Sequence, residues 1–176
     1  TAAVTLILII FLYSANRDNG SRSLQKAQRE SYRLGTIVRI TLYGDDSKKL
    51  NNVLDLSMKE IERLENLLSV NIPSSDVSLV NRASGEYPVK VSEEAGSLLE
   101  RAIEWSERTG GAFDPTVGKI VKLWGIGTES AAVPDPEQLK EAVEMTDFRK
   151  VSVVHREDGT FVRTAKGQRI DLGGIA

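Results

Sequence analysis

Two short stretches carry the residues best suited to chemistry. The first is "TGGAFDPTVGKIVKLWG", residues 109 to 125, in which two glycines, an alanine and a phenylalanine precede Asp114 and Pro115. Asp-Pro is by itself a helix start, because the carboxylate accepts amide hydrogens that the first turn leaves free and proline has none to lose. That accounts for Asp114 and Pro115 but not for Gly110, Gly111 and Ala112. One glycine ends a preceding helix, whereas a second glycine and an alanine would let a ligand approach bare backbone, as in an anion or nucleotide site. The second stretch is "QRIDLGGIA", residues 168 to 176, where Asp171 at a strand end is followed by Gly173 and Gly174. It reads first as a plain turn, and second as a place where backbone oxygens and amides meet a metal or phosphate. With no cysteine in the chain, a metal would have to be held by oxygen or by the single histidine, His155. His155 falls in an alternating strand pattern, where a hydrogen-bonded or solvent-facing role is more usual than ligation.

The elements that must position these residues follow from periodicity. Thr36 to Gly44, "TIVRITLYG", is β-branched and roughly alternating, which predicts a strand. From Ser47 to about Ser69, Leu50, Val53, Leu54, Met58, Ile61, Leu64 and Leu68 recur at steps of three and four and predict a helix with this stripe inward. Asn71 to Gly85 concentrates Pro, Ser, Asn, Asp and Gly and reads as an irregular loop holding one helical turn. Ser92 is placed to cap a helix with Glu93 and Glu94 in its first turn, ending at Gly110. A helix from Pro115 to Trp124, another from Asp135 with Pro136 first, and a hairpin joining "KVSVVHRE" to "GTFVRTA" complete the order. The fold class expected is α+β, a mostly antiparallel sheet with packed helices.

Ahead of the folded part, expected from residue 32, residues 1–15 contain an apolar run whose length suits a signal peptide or membrane anchor, and residues 16–31 read as a polar linker. Export to the outer side of the cytoplasmic membrane is the expectation. The chain has 176 residues, 40% of them hydrophobic and 27% charged, enough for one domain with a core. A net charge of −2, a pI near 5.6 and the lack of a basic block argue against nucleic acid as a partner.

Five blocks in order, "YRLGT" (32–36), "LLSVNIPSSDVSLVN" (67–81), "TGGAFDPTVGKIVKLWG" (109–125), "PDPEQLKEA" (134–142) and "IDLGGIA" (170–176), resemble the FAD:protein FMN transferases, the ApbE family. The resemblance runs from about residue 32 to the end and corresponds to the N-terminal half of that family's domain. It implies a T-fold-like α+β architecture and transfer of FMN from FAD to a threonine hydroxyl of an acceptor protein, with release of AMP and with magnesium in the site. Such attack on a pyrophosphate requires in-line positioning and a cation against the developing charge. On this resemblance Leu34, Asn71, Ala112, Phe113, Asp114 and Asp171 contact FAD, with Leu34 in place of the family's usual methionine. Gly174 would offer a backbone carbonyl to magnesium, while the family's side-chain metal ligands belong to a later motif. The chain starts without Met and ends inside a motif, which points to a fragment of a longer product, truncated and inactive alone; a carbonyl without charged ligands is a weak magnesium site. Membrane redox complexes carrying covalent FMN are the implied acceptors. Two other readings remain: an exported flavin-binding protein without transferase activity, and a membrane-tethered interaction domain whose glycines serve only turns.

Overall fold

In a computed structural model the chain is described from residue 23 to residue 175. The apolar run of residues 1–15 lies outside the described residues. Within them, no helix is long and apolar enough to cross a membrane. Chain contacts separate two compact units, one made of residues up to Glu30 together with Arg39–Leu56, the other of Ser31–Val38 and Ser57–Ala176.

The first unit contains most of the hairpin formed by β1 (Gln25–Arg33) and β2 (Thr36–Gly44) and the first half of α1 (Ser47–Leu68). β2 matches the predicted strand; β1 corrects the predicted linker and the expected start at residue 32. "QKAQRESYR" is too polar to announce itself as a strand, because its stabilising partners are across the hairpin rather than in its own pattern. Arg39 Nε donates to Glu30 at 2.7 Å, and the Thr41 hydroxyl donates to Gln28 at 3.2 Å. On α1, Leu50 and Leu54 are buried as the stripe predicts, whereas Val53 is 40% exposed.

The second unit places a three-stranded antiparallel sheet under α3 (Glu93–Arg108), with β5 (Gly159–Arg163) between β3 (Val89–Val91) and β4 (Ser152–Arg156). Alternation sends Thr160, Val162 and Thr164 inward. Leu99 and Ala102 of α3 meet Val162, Val91 and Val151, and Ile170 and Leu172 extend this core toward the C-terminal segment. Each fully buried aliphatic side chain contributes roughly 1.5–3 kcal/mol. Gly96 brings α3 against the sheet, since a Cβ there would lie 2.5 Å from Thr160 Cγ2.

The loop expected between Asn71 and Gly85 contains a full helix, α2 (Asp76–Ala83), capped by Ser75, whose hydroxyl accepts from Ser78 N. Its buried Val77, Val80 and Ala83 form a three-residue period among polar neighbours, an apolar stripe too short to stand out against the Ser, Asn and Asp. The caps at Ser92 and Asp135 are as predicted: Ser92 accepts from Ala95 N, and Asp135 from Glu137 N and Gln138 N at the head of α5 (Pro136–Glu144).

Candidate functional site

Asp114 does not cap a helix. The helix that follows it, α4, runs only from Gly118 to Trp124, with Val117 before its first turn. The Asp114 carboxylate is occupied from two sides instead: Oδ1 accepts from Thr116 N (2.8 Å) and from the Thr116 hydroxyl (2.6 Å), and Oδ2 accepts from Phe148 N (3.0 Å). Thr116, 2% exposed, also accepts from Asp147 N at 2.9 Å. One acid and one buried hydroxyl thus tie the "FDPT" loop to the turn that starts at Phe148. Beside it, Arg149 donates to Asp147 at 2.7 Å and holds that carboxyl below its usual range, hydrogen bonding being the leading cause.

Gly110 and Gly111 do take left-handed φ values, 62° and 84°. The amides of residues 110 to 113 are nevertheless all donated inside the loop, to Glu107 O, Ser106 O, Thr109 O and Thr109 Oγ1. The expectation of bare backbone amides for a ligand is therefore corrected: the two glycines make a tight reversal, and what the loop presents are the exposed Ala112 and the half-buried Phe113.

The second chemical stretch lies against the first. Val117 pairs with Arg169 in a parallel bridge, Gly118 N donates to Arg169 O (3.1 Å), and Asp171 N donates to Pro115 O (2.8 Å). A Cβ at Gly118 would be 2.9 Å from Arg169 O, so the two backbones touch where only hydrogen fits. Asp171 folds back on its own turn, with Oδ1 accepting from Gly173 N at 2.8 Å. Phe113 closes the group, its ring edge 3.1 Å from the Cβ position of Gly174. Ala112, Phe113, Asp114, Asp171 and Gly174, predicted from two stretches about sixty residues apart, form one neighbourhood.

Leu34 and Asn71 make no hydrogen bond to that group among the described residues. Leu34 is 57% exposed at φ 54°, the first residue of a two-residue turn whose second, Gly35, is at 73°. Such turns favour Asn or Asp, so a leucine here is strained. Glu65 offsets the strain by accepting Leu34 N at 2.6 Å, with Arg33 3.8 Å from its other oxygen. Asn71 is exposed on a loop tightened by Ser75 and Ser78 hydroxyls donating to Ser69 O.

Three buried polar side chains that sequence reasoning missed hold the neighbourhood in place. Asn81 exchanges both hydrogen bonds with the backbone of Ile170, Nδ2 donating to Ile170 O (2.8 Å) and Oδ1 accepting from Ile170 N (2.6 Å). Gln168, 1% exposed, donates to Met145 O and Asp147 O and accepts from Ala165 N. Thr116 is the third. Periodicity could not find them, because their burial arises from segments distant in sequence; Asn81 alone left a signal, as the polar residue that follows Val80 on an apolar face.

His155 lies outside this group. Nδ1 is 3.0 Å from Thr160 Oγ1 and Nε2 2.9 Å from Glu100 Oε1, and these carboxylate neighbours, Glu100 first and Glu93 further off, raise its pKa. Among the described residues there is no group of three or more His, Asp or Glu side chains placed to hold a metal ion. The Gly174 carbonyl would be a single neutral ligand, so these residues do not fit magnesium.

The ApbE family model matches residues 34–176. A FAD:protein FMN transferase from Treponema pallidum is 34% identical over 178 residues, covering 97% of this chain and 48% of that protein. One from Klebsiella pneumoniae is 32% identical over 143 residues, covering 81% of this chain and 44% of that protein. The crystal structure of the ApbE protein of Thermotoga maritima superposes with a TM-score of 0.73 at 32% identity, over 86% of this chain and 48% of that one. The flavin transferase ApbE of Vibrio cholerae gives 0.70 at 25% identity, over 85% and 48%. The chain thus spans about half the length of the relatives it matches. With its "AFDPT" and "IDLGG" segments bridged as described, and matched from residue 34 onward, this chain belongs to the ApbE family.

Proposed function

We propose that the chain contributes the flavin-binding half of an FAD:protein FMN transferase, which moves FMN from FAD to a threonine hydroxyl of an acceptor protein and releases AMP. One observation carries this reading: the parallel bridge and the Asp171–Pro115 hydrogen bond bring the two stretches with ligand chemistry together. The names of the relatives support it. Ala112, Phe113, Asp171 and the turn at Gly174 provide the contact surface, while Asp114 shapes it through Thr116 and Phe148. Leu34, exposed and held in a strained turn by Glu65, is presented as an apolar contact for the isoalloxazine. The acceptor is an exported or membrane-bound redox protein, with the chain on the outer side of the membrane. Magnesium takes part in the proposed reaction, held by residues other than those described.

Binding of FAD to the full chain, followed by quenching of flavin fluorescence, tests the reading. Saturable quenching that Asp171→Ala and Phe113→Ala each weaken is expected. Absence of quenching, or quenching indifferent to both substitutions, removes the flavin site from this chain and leaves the fold alone. A truncation at residue 30 is unsuitable for the assay, because it cuts β1.

A further inference from the structure

Among the described residues, two that are not glycine have a left-handed backbone, Leu34 at φ 54° and Ser84 at φ 43°. Ser84 has a local reason: it ends α2, and its hydroxyl accepts from Gly167 N at 3.0 Å. Leu34 has none of its own, because a two-residue turn of this kind is made with less strain by Asn, Asp or Gly. Nor does burial compensate, since the leucine is exposed and a Cβ at neighbouring Gly35 would meet nothing within 4 Å. Strain of this sort persists only where surrounding groups over-determine the backbone, and it gathers at sites that contact ligands.

The group that imposes the turn is Glu65, near the end of α1. Its side chain is 20% exposed, and its Oε1 accepts from Leu34 N at 2.6 Å in a charge-assisted hydrogen bond. Its Oε2 lies 3.8 Å from Arg33 Nε. Arg33 is braced further by donating to Glu62 at 3.2 Å and to Tyr32 O at 3.3 Å. The hairpin tip is thereby tied to the second half of α1, and Ser31–Val38 accordingly belongs to the same compact unit as Ser57–Ala176. Tyr32 and Ile37, both exposed, flank the turn, so what the carboxylate presents is apolar. From this geometry we infer that Glu65, on the footing of the flavin site proposed above, is a positioning residue for the flavin. It touches no ligand itself; by holding the Leu34 amide it sets the leucine side chain where the isoalloxazine ring meets it.

The test is titration of the full chain with FAD, read by flavin fluorescence. Glu65→Ala should weaken binding about tenfold, while Glu65→Gln, which still offers an oxygen to Leu34 N, should stay within about twofold of the native chain. Glu65→Asp keeps the charge but is one methylene short of the amide, so it should resemble alanine, and it replaces the alanine variant should that one fail to fold. In a Leu34→Gly background, Glu65→Ala should cost little further affinity, because glycine takes the left-handed turn unaided and has no side chain to place. Leu34→Asn should separate turn from contact, raising the ligand-free melting temperature while weakening FAD binding. Native binding that Phe113→Ala weakens, but that Glu65→Ala and Glu65→Asp leave unchanged, overturns the positioning role alone. An equal loss from Glu65→Ala with leucine or with glycine at position 34 does the same. Absence of saturable quenching by the native chain removes the flavin site itself, and the role of Glu65 with it.

Discussion

At the scale of the residue, Asp114 shows how one carboxylate can be legible in position and misread in role. "DP" before an apolar run has a helix-capping meaning, and the same acid instead gathers three donors, one of them from Phe148, thirty-four residues on. Asp114→Ala leaves Thr116 N and Phe148 N unsatisfied, so a loss of about 2–4 kcal/mol is expected, more than a cap's ~1 kcal/mol. Chemical denaturation of the chain checks it. Asp114→Asn, which keeps one acceptor, should recover part of the loss. A loss no larger than that of a cap would mean the Phe148 contact contributes nothing. His155 gives the pH-dependent case. Its pKa is raised in the folded chain, chiefly by its hydrogen bond to Glu100, above an unfolded value near 6.5. Its contribution is therefore complete below about pH 6.5 and disappears as pH rises through the raised folded value. The melting temperature of His155→Gln should fall short of the native chain's at pH 5.5 and approach it at pH 8.5. A deficit that grows with pH would contradict the pairing.

At the scale of the element, the C-terminal segment is positioned less by its own secondary structure than by side chains from elsewhere. Asn81 on α2 serves Ile170 as a neighbouring strand would, with one donor and one acceptor. Asn81→Ala should cost roughly 2–4 kcal/mol, since both Ile170 groups are buried. Asn81→Asp, which buries a carboxylate and sets one of its oxygens against Ile170 O, should cost at least as much at neutral pH. Backbone amide exchange at Ile170 and Asp171, faster in the alanine variant than in a core variant of equal stability, separates local release from global unfolding. What the sequence revealed at this scale divides along physical lines. The helices α1, α3 and α5 were legible because an apolar period coincides with a capping residue, as at Ser92 and Asp135. The strand β1 and the helix α2 were not, because β1 is polar on both faces and the three buried apolar residues of α2 sit among Ser, Asn and Arg. The two site stretches could be named one by one from their acids and glycines. Their adjacency could not, since it depends on a bridge between Val117 and Arg169 that no local pattern encodes.

At the scale of the whole molecule, a chain half the length of its relatives has its own sheet and core in the second unit, with Val162, Leu99 and Ala102 almost fully enclosed. The neighbourhood of Asp114 and Asp171 lies at the end of this core, where Ile170 and Leu172 enter it, so the candidate site and core packing share the same segment. The Asn81–Ile170 pair joins residues 89 apart, and this separation has a consequence for synthesis. Until residue 170 has left the ribosome, the Asn81 amide lacks its partners, although α2 can already rest on β3 and α3. Contacts of such range form late, because the chain between them must first be ordered. The surface built on this segment consequently takes shape only after Asn81 and Ile170 have met.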